Sequence, residues 1–330
     1  MSNAETDPSE IVCGAVATAP PVAGIEVLEP RLVPLGGPRA MEVRRTLPQR
    51  QRSLIGAWCF LDHYGPEDVR DSGGMNVPPH PHTGLQTVSW LFSGEVEHRD
   101  SAGNHAFVRP GELNLMTAGS GISHSERSTA PTTILHGVQL WVALPASDRF
   151  VERTFEHHAP PEVTGPGWRA RVFLGRLLGS TSPVRTYSPL VGAELNLLPD
   201  TTLSLEVDPG FEHGVLVDSG QLRVDGQPVA PTQLAYRAAG GDVLELRSGP
   251  DPVRLLVLGG PPFGEQVVMW WNFVGRTHEE IETYRRAWQA EINGTGSDPG
   301  SRPVFGLPQG DPGAPLPAPP LPNARLLPRS

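Results

Sequence analysis

Pro78-Pro79-His80-Pro81-His82-Thr83-Gly84 opens, and Ala118-Gly119-Ser120-Gly121-Ile122-Ser123-His124-Ser125-Glu126 closes, the part of the chain whose reading decides the fold. Each stretch carries a pair of metal-type ligands at i, i+2: His80 with His82, and His124 with Glu126. Successive residues of a strand face opposite sides of a sheet, so both members of such a pair share one face. Pro81 has no N–H, which suits a strand start or edge where a ladder bond is dispensable. Gly119 and Gly121 fit a tight turn that sets the second pair into a cavity. One His-x-His is weak evidence by itself. Two pairs, 42 residues apart from His82 to His124 with strand-like sequence between, predict antiparallel barrel strands that bring three imidazoles and one carboxylate to a common centre. Such a mixed nitrogen and oxygen set suits a borderline divalent metal.

The rest of the chain agrees with a β architecture. Its 330 residues suffice for two domains, and Gly and Pro stand at 37 each, a punctuation that favours short strands over long helices. All 26 basic residues are Arg, which excludes Schiff-base lysine chemistry and a Walker-type phosphate loop. With a formal net charge of −10 and no basic run longer than two residues, direct nucleic-acid binding is not expected. The two cysteines, Cys13 and Cys59, lie in a polar arm and an apolar run, so no structural disulfide is predicted. The polar, acidic N-terminus is unlike a signal peptide, and no stretch approaches the roughly 18 apolar residues of a membrane span. No membrane association and a cytoplasmic location are expected.

The predicted organisation is a disordered arm (1–24), an N-terminal barrel (25–148), a polar linker (149–167), and a C-terminal barrel plus helix (168–292). A disordered Pro/Gly-rich tail (293–330) follows. In the first barrel apolar runs such as Leu54–Leu61, Thr87–Phe92 and His136–Leu144 alternate with turns. The segment Val215–Gly226, with its Ser219-Gly220 turn, echoes Val88–Glu97 with its Ser93-Gly94 turn, 126 residues earlier. That spacing reads as a second copy of the same barrel. The copy lacks a His-x-His pair and has only His213 near the expected place, so it is predicted to be metal-free. Thr277-His278-Glu279-Glu280 reads as a capping box, followed by Ile281, Tyr284, Trp288 and Ile292 on one helical face.

Several blocks together resemble the pirin family of the cupin superfamily. They are Pro79–Val88, Ser93–Ser101, Met116–Glu126 and His136–Val142, with weaker echoes at Phe60–Pro66 and Asn272–Ile281. The resemblance spans roughly residues 25–292. It implies an all-β bicupin: two facing antiparallel cupin-type barrels with a C-terminal helix and one metal in the N-terminal barrel. The family's ligands fall on His80, His82, His124 and Glu126, and iron, as Fe(II), is the usual metal. Mn, Ni, Cu, Zn or Co are the other divalent candidates for such a set. Gln86 stands where many cupins and many pirins carry Glu, and it is expected to support the site by hydrogen bonding and not to ligate.

Some bacterial members of the family cleave the flavonol quercetin with dioxygen. Carried onto this chain, the resemblance implies a quercetin 2,3-dioxygenase-type reaction on a flavonol or similar small aromatic substrate. Glu126 would be both ligand and general base for the substrate hydroxyl, and ring opening would expel carbon monoxide. The alternative from another class is a non-enzymatic, iron-dependent redox sensor that binds a protein partner, either a transcription factor or a metabolic enzyme. The remaining histidines have plainer expected roles. His98, in Glu97-His98-Arg99-Asp100, reads as part of a solvated strand edge, and His63 and His136 read as lining or supporting the pocket. His157 and His158 read as exposed linker residues, and Trp270-Trp271 as core or barrel seam.

Overall fold

The computed structural model describes residues 24–35, 41–295 and 303–330. Cys13 and all of the expected N-terminal arm except Gly24 lie outside the described residues. Two halves of equal design fill the rest. The first is a seven-stranded antiparallel sheet in the order Thr154–His158, Leu113–Thr117, Leu85–Ser93, Ile134–Ala143, Trp58–Asp68, Met41–Leu47, Arg31–Leu35. It is closed by a four-stranded sheet in the order Asn76–His82, Ile122–Ser128, Val96–Asp100, His105–Val108. The second half repeats the plan. Its seven strands run Ile25–Leu28, Leu234–Arg237, Glu212–Ser219, Val253–Gly260, Val191–Leu197, Trp168–Leu174, Glu162–Gly165, beside four more between Thr202 and Ser248. The all-β bicupin architecture is thus present. No helix among the described residues is long and apolar enough to cross a membrane.

The Ser-Gly echo marks equivalent strands, each third in its seven-stranded sheet. Gly94 (φ 87°) and Gly220 (φ 80°) both turn through the left-handed region. A Cβ on Gly94 would lie 2.7 Å from the Ile134 carbonyl oxygen, and one on Gly220 would lie 2.4 Å from that of Pro252. Ile134 opens the fourth strand of its sheet and Pro252 immediately precedes the fourth of the other, so the same close approach demands glycine in each copy.

Alternation along the strands separates three interiors. One face of each seven-stranded sheet packs against the other, burying Trp58, Leu61, Trp90, Val138 and Leu140 against Phe173, Leu216, Leu256 and Leu258. The interior of the second barrel is filled with aliphatic side chains, among them Val172, Leu195, Leu205, Val217, Leu244 and Leu255. Inside the first barrel stand buried polar groups, including His80, His82, Ser89, His124, Glu126 and Gln139. The helix His278–Ile292 begins at N-cap Thr277, whose hydroxyl accepts from the Glu280 amide at 3.2 Å. It buries Ile281 and Trp288 against Trp270, Trp271 and Phe273.

Three boundaries differ from those expected. Ile25–Leu28 pairs with Leu234–Arg237 and so belongs to the second barrel, where Leu28 enters the seam between the sheets. The polar segment 149–167 is not a plain linker. Thr154–His158 pairs with Leu113–Thr117, and Glu162–Gly165 pairs with Trp168–Leu174. Each covers a sheet edge whose N–H and C=O groups would otherwise lack partners, and edge strands stay polar because only one face packs. Residues 303–330 are not structureless either: Phe305 is fully buried and Ala318 nearly so, both against the helix. Proline-rich chain offers few donors of its own, and here the helix supplies partners. The Glu291 carboxylate accepts from the amides of Val304, Phe305 and Gly306, and Trp288 Nε1 donates to the Leu316 carbonyl at 2.8 Å.

Candidate metal centre

Asn76–His82 and Ile122–Ser128 pair antiparallel with His80 opposite His124 and His82 opposite Ile122. Between His124 and Glu126 the register slips, so that Glu126 stands opposite Val77. Two residues, Pro78 and Pro79, stand opposite Ser125 alone, and neither has an N–H to strand, so the bulge costs the ladder no donor. The bulge leaves the Pro78 carbonyl free to accept from His80 Nδ1 at 2.8 Å. His82 Nδ1 donates in the same way to the Asn272 carbonyl at 3.0 Å. A neutral imidazole that donates from Nδ1 keeps its lone pair on Nε2. His80 Nε2 is buried and has no hydrogen-bond partner, and His82 Nε2 lies 3.0 Å from His124 Nε2.

The ligand atoms of His80, His82 and His124 all lie within 4.8 Å of one another, and all three rings are fully buried. Burial pushes the His80 imidazolium down to about 4. Burial, reinforced by the neighbouring imidazoles, holds His82 and His124 well below the ordinary histidine value. Three neutral rings, two of them with lone pairs turned inward by their Nδ1 bonds, form a centre that is short of a cation, so the residues fit a divalent metal. Glu126 meets this cluster through His124. It groups with His98 and His124, again with ligand atoms within 4.8 Å of one another. The Ser89 hydroxyl sits 3.3 Å from Glu126 Oε1 and 2.8 Å from Gln139 Oε1. Trp141 stacks on Phe60 at 4.0 Å and turns its edge to His82 at 5.2 Å.

His98 is not part of a solvated edge. It is buried, stacked on Phe155, with Nε2 3.3 Å from Asp100 and Nδ1 3.3 Å from His124 Nδ1. Its strand lies between two others in the four-stranded sheet, and the strand Thr154–His158 brings Phe155 over the ring, neither of which the local run of charges reveals. Gln86 uses its amide nitrogen on Thr117 Oγ1 (3.0 Å) and the Arg185 carbonyl (3.3 Å), which ties the first barrel to a loop of the second half.

His63 and His136 do not line the imidazole cluster. They stand on the opposite face of the sheet, at the seam between the barrels, where both meet Asp218 of the second half. His63 Nε2 and His136 Nε2 approach Asp218 Oδ1 at 2.8 and 2.6 Å, and Arg254 Nε donates to Oδ2 at 2.7 Å. Burial by itself would raise the Asp218 carboxyl, but these donors outweigh it and hold the group below the ordinary carboxylate range. These groups also have metal-ligand spacing. Arg254 Nη2, however, lies 3.2 Å from His136 Nδ1, so that ring keeps its proton on the Nε2 that faces Asp218. The trio therefore works as a staple across the seam. Sequence reasoning missed Asp218 and Arg254, which nothing local distinguishes from surface charges. Of the linker pair, His157 is exposed and His158 partly so.

Residues 40–142 match the family model described as Pirin, and residues 192–294 match the Pirin C-terminal cupin domain. A Pseudomonas aeruginosa protein bearing the name putative quercetin 2,3-dioxygenase is 46% identical over 264 residues, which cover 78% of this chain and 82% of that one. A Caulobacter vibrioides pirin-like protein is 36% identical over 258 residues, covering 76% of this chain and 88% of its own. Human pirin is 32% identical over 247 residues, covering 72% and 83%. Among solved structures, the crystal structure of quercetin 2,3-dioxygenase from Acinetobacter baumannii superposes with a TM-score of 0.83 at 37% identity, covering 91% of this chain and 96% of that one.

Proposed function

The chain belongs to the pirin family, and from that premise we propose that its first barrel is a metal-dependent dioxygenase site for flavonol-type substrates. His80, His82, His124 and Glu126 would hold the metal, with Fe(II) as the proposed ion. The observation that carries the reading is the cluster of three buried imidazoles, with the lone pairs of His80 and His82 turned inward by the carbonyls of Pro78 and Asn272, beside a buried carboxylate. Two of the similar proteins bear quercetin 2,3-dioxygenase names, which supports the choice of substrate class.

When bound, the metal supplies a redox-active Lewis acid that lowers the pKa of a substrate hydroxyl and draws dioxygen to the same centre. The protein's own groups do the rest. Glu126 accepts the hydroxyl proton, since a carboxylate at the metal is within reach of it. Ser89, held between Glu126 and Gln139, steadies the oxygen Oε1 so that the carboxylate keeps one attitude while it takes and returns the proton. The buried Phe60–Trp141 stack backs His82 and keeps water from that side of the ring.

Anaerobic reconstitution with Fe(II), followed by mixing with aerated quercetin, tests the proposal. Oxygen uptake should match the loss of quercetin absorbance, and carbon monoxide should be released. Glu126→Gln should retain iron through its three imidazoles yet lose turnover by about 10²- to 10⁴-fold. Stoichiometric iron without oxygen uptake would overturn the dioxygenase reading, and a fully active Glu126→Gln would overturn the general-base role alone.

A further inference from the structure

The last 28 described residues, 303–330, run from the C-terminal helix onto the two strands that carry the imidazole cluster. Along Ile122–Ser128 the side chains alternate. His124 and Glu126 turn inward, and Ser123, Ser125 and Arg127 turn outward to the tail. The Ser123 hydroxyl donates to the Gly306 carbonyl at 2.6 Å. The Asp311 carboxylate accepts from the Ser125 hydroxyl at 2.5 Å and from Arg127 Nη2 at 2.9 Å, with a further bond from Arg127 Nη1. On the partner strand, the bulge that frees the Pro78 carbonyl for His80 also frees that of Pro79, and the Leu316 amide donates to it at 2.8 Å. Every one of these grips falls on a residue next to His80, His124 or Glu126. The far side of the strap is fixed to the helix through Phe305, Glu291, and Gln289 Oε1, which accepts from the Ala318 amide at 2.7 Å.

We propose that this strap is part of the metal centre, with Asp311 as a positioning residue that holds Ser125 and Arg127 on either side of Glu126. At a bulge the ladder is locally interrupted and the strand bends, so fewer backbone bonds hold the two sides of the slip to each other. That slip lies between His124 and Glu126, so any play there moves a ring and a carboxylate relative to His80 and His82. A carboxylate that bonds both outward neighbours from behind removes that play. The proposal rests on the reading of the first barrel as a metal site and adds to it a support drawn from the opposite end of the chain.

Anaerobic Co(II) titration of the full-length protein, followed by ligand-field absorption, tests the strap without recourse to turnover. Asp311→Ala should weaken Co(II) binding about tenfold and alter the absorption bands, as loss of groups behind metal ligands commonly does. Asp311→Glu should restore part of the affinity. Ser125→Ala removes a single hydroxyl and should act in the same direction to a smaller extent; it decides the matter if Asp311→Ala does not fold. Gln289→Ala loosens the same strap at the helix and should lower the thermal midpoint while leaving the cobalt bands unchanged. Wild-type affinity and bands in both Asp311→Ala and Ser125→Ala would overturn the proposal, whatever their thermal midpoints. A wild-type protein that takes up no cobalt would overturn the metal reading itself, and the strap's role with it.

Discussion

His80 and His213 are both buried imidazoles that desolvation pushes down to about 4, yet their surroundings give them different uses. His80 donates from Nδ1 to a carbonyl and turns a bare nitrogen toward two other rings. His213 lies in the second barrel near Phe211, where burial and then Arg237 disfavour its charged form. This makes His213 a measurable pH liability. The unfolded histidine titrates near 6.5, so between that value and about 4 the unfolded chain binds a proton that the folded chain refuses. Stability from this group is present above pH 6.5 and is lost as pH falls toward 4, by up to about 3 kcal/mol. Thermal midpoints of wild type and His213→Gln between pH 7 and 4 should therefore converge as the solution is acidified. Parallel curves would count against the assignment. The difference between the two proteins cancels the metal-type histidines, which titrate in both. At this scale the i, i+2 spacing of His80 and His82 was legible in the sequence, but the burial of His98 was not, because it depends on Phe155, 57 residues downstream.

The C-terminal helix was legible because its signals are local: a capping threonine, acidic residues in the first turn, and apolar residues at helical spacing. Thr277→Ala should cost about 1 kcal/mol, read as a lower thermal midpoint. Because Glu280 also accepts from Arg276 N and pairs with Arg149, the variant should still fold. Glu280→Ala, which keeps the cap bond from its backbone amide but removes both of these side-chain contacts, should cost more; an equal or smaller loss would refute that division of labour. The short edge strands were not legible. Thr154–His158 and Glu162–Gly165 are four or five residues long, polar on one side, and bounded by proline, so nothing in their own sequence separates strand from linker. Their conformation is imposed by the open edges they cover. The same holds for the proline-rich tail, whose composition describes a chain without internal hydrogen bonds and is silent about bonds to other elements.

For the whole molecule, the join between the two barrels combines a buried apolar core with ionic contacts, of which the Asp218 group is the most deeply buried. Asp218 reaches from the second half to His63 and His136 of the first, with Arg254 closing the group. Asp218→Ala would leave two buried imidazole N–H groups and one guanidinium without their acceptor, and should destabilise the protein by about 3 kcal/mol, measured by calorimetry. Loss of less than about 0.5 kcal/mol would show that the staple is incidental to a seam held by apolar packing. Sequence alone determined the period-2 pairing of the ligand residues, the glycine-demanding turns that recur in both copies, and the helix with its cap, because each depends on residues a few positions apart and on backbone geometry that any context must respect. Tertiary structure alone decided which barrel edge takes Ile25–Leu28, that the tail backs the ligand strands, and that Asp218 bridges the halves. Those contacts join residues from 82 positions apart, His136 and Asp218, to 237 apart, Pro79 and Leu316, and their energy comes from burial and from partners that no local stretch of chain contains.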